Sequence, residues 1–488
     1  MTVTFSTLID HRAAGDPAGA AVADSAQSLT NAELLVRVRA AAAQLTELGV
    51  LPGDVVALKL ANRVEFVVLL FAAWRIGATV TPVNPALTEP EVLRQLEDSG
   101  ARLLVVEDGR EGVGEVPVIS VSDIQRETPT SDAPPVVDPT ALALLIYTSG
   151  TTGVPKGVML DHANLDAMTA MGREALQFSG SDRCLLILPL FHVNGIVVSV
   201  LSPLLVGGSV VIADRFNPQS FFDAIEEHRP TFFSAVPTIY SMLAALPDEV
   251  KPDTSSVRFA VCGAAPASAD LLSRFEQRYG FPLVEAYGLS EGTCGSATNP
   301  VDGLRKPGTV GLPFPGQEIR ILGVDGDSLP HGAAGEVVVR GANVMRGYLG
   351  RPDETAAVIK DGWLHTGDVG RLDEDGYLTI VGRSKEMIIR GGENIYPKEI
   401  EDVLALDPTV LEVAVVGVPD EKWGEVVVAY VQPRPGSTVD LESIAALCEQ
   451  RLSGYKRPSA VHVLETLPKS AVGKLDKLAL RTAALVAN

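Results

Sequence analysis

Along the chain, short apolar runs alternate with longer stretches in which apolar residues recur every three or four positions. The runs VVALKL (55–60), ATVTPVN (78–84), RLLVVED (102–108), LALLIY (142–147), RCLLILPL (183–190), SVVIA (209–213), TFFSAV (231–236) and RFAVCG (258–263) read as buried strands. Between them lie helical patterns such as TNAELLVRVRAAAAQLTELG (30–49). Strand and helix in alternation predict an α/β fold with largely parallel sheets. The run FVVLLFAAW (66–74), flanked by Glu65 and Arg75, is too short for a bilayer and predicts a buried helix. A longer apolar region, LLILPLFHVNGIVVSVLSPLLVGGSVVI, is broken by Pro189, His192, Asn194, Pro203 and paired glycines into strand, turn and helix. Those polar groups would be costly in lipid, so no membrane span is expected there.

The pattern changes twice. Residues 107–139, rich in proline and acid, read as an exposed connection, and 308–380 read as short strands between turns, a β-rich subdomain. After GRSKEM the units become short β and α segments again, which predicts a separate C-terminal domain of roughly 100 residues. The expected organisation is therefore an N-terminal domain over 1–382 and a C-terminal domain over 383–488. A chain of 488 residues is too long for one ordinary core, which agrees with that division.

Charge narrows the functional classes. A net charge of −21 argues against a nucleic-acid binder or a polybasic membrane-surface protein, but leaves room for a local anion site. Cys184, Cys262, Cys294 and Cys448 are scattered without CxxC spacing, so neither a disulfide framework nor a zinc site is indicated. The N-terminus MTVTFSTLIDHRAAGDP shows no secretory pattern. A reducing cytoplasm is the expected location.

The stretch YTSGTTGVPKGVML (147–160) carries glycines, hydroxyls and one lysine directly after a strand. Glycines let backbone N–H groups approach an anion, and a lysine adds a point charge. It is not the nucleoside-triphosphatase loop, because Pro155 precedes Lys156 and Gly157 follows it. A bare tract of this composition also reads as a flexible linker; its place after an apolar strand favours a phosphate loop.

Joined by LPLFHVNG (188–195), EAYGLSE (285–291), HTGD (365–368), GRSKEMIIRGGENIYPKEIE (382–401) and PKSAVGK (468–474), this loop makes the chain resemble the acyl-adenylate-forming enzymes. Within them it is similar to AMP-forming acyl-CoA synthetases of the fatty-acid or 4-coumarate CoA ligase type. The resemblance runs nearly end to end. It implies a large N-terminal domain of two packed αβ sheets plus a β-barrel subdomain, and a small mobile α+β C-terminal domain. It also implies the reaction: a carboxylate attacks the α-phosphate of ATP to give an acyl adenylate and pyrophosphate, and a thiol then displaces AMP.

By the same resemblance, Thr148, Ser149, Gly150, Thr151, Thr152, Gly153 and Lys156 hold the ATP phosphates, and Glu291 with Thr148 forms the Mg²⁺ site. A carboxylate completed by phosphate oxygens and water suits that hard ion. Tyr287 stacks on adenine, with Gly263, Ala264 and Ala265 opposite, and Glu285, Ala286, Gly288 and Ser290 belong to the same nucleotide segment. Asp368 and Arg383 bind the ribose, a carboxylate being a natural acceptor for a vicinal diol. Asp373 and Asp375 read as an ordinary acidic turn. Lys474 is the catalytic lysine of adenylation, and Lys385 the hinge about which the C-terminal domain swings. Gly391 and Gly392 would let the backbone border a pantetheine tunnel.

His192 is assigned positioning and gating near the carboxylate and thiol. The acyl pocket is expected from His192, Asn194, Val198, Val236, Met242, Gly263 and Thr293, which are apolar, small or uncharged apart from the histidine. Malonate-activating relatives carry an arginine shortly after the VPTxY segment, where this chain has Ser241 and Met242. An unpaired second carboxylate in such a pocket would be costly. The expected acid is therefore a monocarboxylate with an apolar tail, an aliphatic chain of medium or greater length first and a cinnamate- or benzoate-like acid second. CoA is the expected acceptor, with a carrier protein as the alternative, a homodimer left open, and no nucleic-acid partner.

Overall fold

The computed structural model describes residues 4–109, 113–127, 134–148, 155–265, 267–469 and 475–487, apart from the side chains of Asn394 and residues 485–487. The fold is mixed α/β, and the chain divides into two compact units, one of residues 1–319 with 339–365 and the other of 320–338 with 366–488.

The first unit holds a nine-stranded and a seven-stranded sheet. In the larger one, Arg183–Leu186, Ser209–Ile212, Phe232–Ala235, Phe259–Cys262 and Leu283–Tyr287 run parallel, and Ala297–Thr298 runs antiparallel beside Leu283–Tyr287. In the smaller, Val55–Lys59 lies between Thr79–Pro82 and Ala101–Val106, all parallel, and Leu142–Thr148 returns antiparallel as Lys156–Asp161. Side chains alternate across a strand, so one sheet serves two cores. Cys184, Leu186, Val210, Phe232, Phe259 and Val261 join Val56, Leu58, Leu103, Val105 and Ile146 in one apolar cluster common to both sheets. Their neighbours Leu185, Val211, Phe233, Ala260 and Cys262 face a second cluster under Phe275 and Tyr240, while Ala57, Leu104 and Val106 face a third.

The helix Val64–Arg75 confirms the reading of FVVLLFAAW, since every residue in it is buried. That includes two charges. Glu65 accepts from Gln27 Nε2 at 2.8 Å and Arg63 Nε at 2.9 Å, and pairs with Arg37 at 3.3 Å; Arg75 reaches Asp10 at 2.6 Å. Buried charges persist when paired in this way.

The connection 107–139 departs from its reading as an exposed loop. Val118–Ser120 pairs in parallel with Ala101–Val106, and Val121 and Ile124 are buried in the shared core. The VPVISV pattern supplies a strand that its proline and acid flanks disguise.

In the second unit, the end of Trp363–Leu372 pairs with Leu378–Arg383 in an antiparallel hairpin. Its turn is fixed by Asp373 Oδ1, which accepts from the N–H groups of Asp375 at 3.0 Å and Tyr377 at 2.9 Å, an Asx-type turn as LDEDGY suggests. Val410–Asp420 and Gly424–Pro433 form a long antiparallel pair in a five-stranded sheet, covered by Pro397–Leu404 and Leu441–Arg451 on one side and Lys477–Ala487 on the other.

Candidate active site

Three strand ends of the first unit carry the sequence-predicted nucleotide residues. The strand Leu142–Thr148 stops at Thr148, whose partner in register is Lys156. Of the predicted phosphate residues, Ser149, Gly150, Thr151, Thr152 and Gly153 lie outside the described residues. Lys156 is well placed. Its ammonium is ion-paired to Glu354 and lies 5.0 Å from the centroid of the Tyr348 ring. The Tyr348 hydroxyl donates to Glu291 Oε1 at 2.8 Å, and the Glu291 carbonyl accepts from Met345 N–H at 2.8 Å. One tyrosine thus carries Lys156 against its face and Glu291 at its hydroxyl. Burial, with the adjacent Glu291 charge, raises the Tyr348 phenol well above its ordinary pKa, so it stays a donor.

The strands Phe259–Cys262 and Leu283–Tyr287 are neighbours, which brings CGAA beside EAYG. A Cβ on the buried Gly263 would lie 3.4 Å from the Ala286 carbonyl. Ala264 is left-handed at φ +65°, and both it and Ala265 are exposed. Glu285 is buried and accepts from Ala267 N–H at 3.3 Å; Ala286, Tyr287, Gly288 and Ser290 are half-buried. At Gly288 a Cβ would collide with the Cys294 carbonyl, 1.7 Å away, so only glycine permits this approach.

Next to this turn stands the segment after His192. Burial pushes the Cys294 thiol up to about 12, opposed by the Asn194 amide. The Asn194 Oδ1 is buried with no hydrogen-bond partner among the described residues. His192 precedes the short helix Val193–Ile196, is half-buried, and its ring lies 4.5 Å from that of Phe191. Thr293 and Cys294 are both left-handed, at φ +52° and +98°. Asn343 secures them: it donates to the Gly292 carbonyl at 2.7 Å, and its own carbonyl accepts from Thr293 Oγ1. Val198 and Val236 are half-buried, whereas Met242 is 47% exposed beside the buried Tyr240 and Leu243.

Within the second unit, Asp368 and Arg383 face each other in register, Arg383 Nε 3.0 Å from Asp368 Oδ1, the carboxylate buried and the guanidinium half out in water. Lys385 follows in a single turn, Ser384–Glu386. Desolvation and the like charge of Arg383 draw its ammonium below the ordinary lysine value. The next residue, Glu386, is tied to Lys477 at 3.0 Å, and Lys477 also reaches Glu401 at 2.8 Å. Gly391 and Gly392 are exposed and left-handed, and a Cβ on Gly391 would meet the Trp423 ring at 3.0 Å. Arg390 and Lys422 lie over that exposed ring at 5.7 Å and 4.9 Å. Lys474 lies outside the described residues, between the bridged Lys469 and Leu475.

Tyr348, Arg351, Glu354, Asn343 and Trp423 are absent from the sequence reading. The segment RGYLGRPDETA shows only a helix start, proline followed by acidic residues, which is what Pro352–Val358 is. No spacing ties it to Lys156, almost two hundred positions earlier.

The sequence matches the AMP-binding enzyme family over residues 9–349 and the AMP-binding enzyme C-terminal domain over 399–474. It is 40% identical to a feruloyl-CoA synthase of Amycolatopsis sp over 474 residues, 96% of each chain. It is 37% identical to an oxalate–CoA ligase of Arabidopsis thaliana over 505 residues, 97% of each chain. The fold superposes on o-succinylbenzoate coenzyme A synthetase of Bacillus subtilis, solved in complex with ATP and magnesium ion, with a TM-score of 0.89, 33% identity and 98% of both chains covered.

Proposed function

The chain belongs to the AMP-binding enzyme family and is an AMP-forming acid–thiol ligase, and from that premise we propose that it joins an uncharged-tailed monocarboxylic acid to CoA. A carboxylate oxygen attacks the α-phosphorus of ATP and the bond to pyrophosphate breaks. The thiol sulfur then attacks the acyl carbonyl, and AMP leaves.

Two anions meet in the first step, and at about 4 Å two unit charges repel by several kcal/mol at an intermediate dielectric. Lys156 and the N–H and hydroxyl donors that follow Thr148 would offset that charge at the β- and γ-phosphates, and Lys474 would do so at the α-phosphate. Glu291 fits a Mg²⁺ ligand: a half-buried carboxylate with one oxygen oriented by Tyr348, and no group of three or more His, Cys, Asp or Glu beside it among the described residues that could cage a metal alone. The ion would take its remaining ligands from phosphate and water and neutralise charge on them. Tyr287 would stack on adenine, and Asp368, steadied by Arg383, would accept from the ribose hydroxyls. The backbone at Gly391 and Gly392, beside Trp423 with its two cations, is the face suited to the anionic, adenine-bearing CoA.

The single observation that carries the substrate reading is that the residues expected to line the acyl pocket, His192 apart, are uncharged. Asn194, Val198, Val236, Met242, Gly263 and Thr293 bring no cation, and neither does Ser241. A second carboxylate would find no partner among them. The relatives named above span an aryl acid and a dicarboxylate; no lysine or arginine stands among the expected lining to hold the latter, so an aryl-bearing monocarboxylate of the hydroxycinnamate kind leads, and a medium or long aliphatic chain follows. The test is ATP–pyrophosphate exchange over a panel of aryl, aliphatic and dicarboxylic acids, followed by thioester formation with CoA. Highest kcat/KM on a dicarboxylate would overturn the reading.

A further inference from the structure

The ammonium of Lys156 already has an anion. Glu354, on the helix Pro352–Val358, pairs with it, while the Tyr348 ring lies 5.0 Å away. The lysine side chain is only 14% exposed, so without a counter-ion its charge would be poorly solvated. Glu354 is not committed to it alone. Arg351 Nη1 is 3.2 Å from Glu354 Oε1, and Arg351 also reaches Asp98 at 3.8 Å. Should the lysine take another anion, the carboxylate keeps a cation, so exchange leaves no charge unpaired.

We propose that Glu354 is a positioning residue that holds the place of a phosphate on Lys156 in the nucleotide-free enzyme, and that MgATP and pyrophosphate compete with it for that lysine. The proposal rests on the reading that Lys156 meets the phosphates. Two consequences follow. The lysine is kept aimed, extended along the Tyr348 face that also orients Glu291, before nucleotide arrives. Pyrophosphate, the first product, leaves more readily because an internal carboxylate takes its place on the lysine. Glu354 therefore sets nucleotide and pyrophosphate affinity.

The experiment is calorimetric titration of the full-length enzyme with MgATP and with magnesium pyrophosphate. Glu354→Gln is expected to tighten both by about 2- to 5-fold, the range of a partly exposed ion pair. Asp353→Asn removes the same charge one residue away and is expected to leave both affinities as they are. In a Lys156→Ala background, Glu354→Gln should have no further effect, because its action runs through the lysine. The proposal is overturned if Glu354→Gln binds MgATP no tighter than wild type, or if its effect persists without Lys156. Those results leave the reading of the site intact provided wild type binds MgATP; a wild type that binds none overturns both together.

Discussion

The Lys156 cluster and the Asp368–Arg383 hairpin are both opposite charges among residues assigned to the nucleotide, yet they are built in contrary ways. Asp368 and Arg383 are fifteen positions apart and meet because two strands of one hairpin place them in register. Lys156, Glu291, Tyr348 and Glu354 come from a hairpin strand, a strand-following turn, an edge strand and a short helix, and meet only when the first unit is complete. A local pair is fixed by one hairpin; a dispersed one is fixed by everything folded around it. The dispersed cluster can therefore store alternatives, such as a carboxylate that changes cations, where the hairpin pair offers one arrangement.

The sharpest way to press that contrast is at Lys385, two residues beyond the hairpin pair. Proline fixes φ near −65° and removes the N–H. Lys385→Pro should reduce acyl-CoA formation to background while single-turnover pyrophosphate release persists, and Lys385→Ala should be far milder; equal damage from both would mean the side chain, not the swivel, matters. Lys474→Ala should cost about 10²- to 10³-fold in adenylation, the usual loss for one well-placed electrostatic contact. Thioester formation from a supplied acyl adenylate should survive, and loss of both half-reactions alike would count against its assignment. Asp368→Asn keeps the hairpin but removes the acceptor charge; hydrogen bonds to a charged group contribute about 1.5–3 kcal/mol, so the KM for ATP should rise roughly 10- to 100-fold. Smallest is Tyr348→Phe, which keeps a ring under Lys156 and deletes the donor to Glu291. The lost bond is to a carboxylate, but Glu291 is only half-buried and water can take the place of the hydroxyl, so a loss of about 0.5–1.5 kcal/mol predicts a 2- to 10-fold higher Mg²⁺ requirement in pyrophosphate exchange. If Tyr348→Phe were as harmful as Asp368→Asn, the dispersed cluster would be as rigid as the hairpin.

The same contrast explains what could be read from the sequence. The buried helix Val64–Arg75 and the alternating strands were legible because burial on one or both faces writes a period into the chain. The hairpin turn was legible because Asp373 satisfies its own backbone. Residues of the nucleotide segment were assigned through the motifs and their resemblance, each motif being continuous. Glu354 and Tyr348 were not, because a contact between distant segments leaves no period, and PDET looks the same whether or not a lysine waits above it. The core residues Val121 and Ile124 were missed for a related reason: two apolar side chains in an acidic, proline-bearing stretch give too short a signal.

Thr293 and Cys294, consecutive left-handed residues pinned by Asn343, bear on how acid preference in this scaffold can be redesigned. A β-branched residue at positive φ is a genuine outlier. Its replacement by any larger side chain must keep that backbone and the bond to Asn343, while Gly288 leaves no room for the turn to shift toward it. The half-buried Val198 and Val236 carry no such constraint: Val198 sits in the π-helical turn Val197–Leu201 and Val236 is extended, neither at positive φ. A mutational library aimed at a new acid should spend its diversity at these two valines and leave 288, 293, 294 and 343 alone, since variation there disturbs Glu291 two residues away before it reshapes anything an acid would touch.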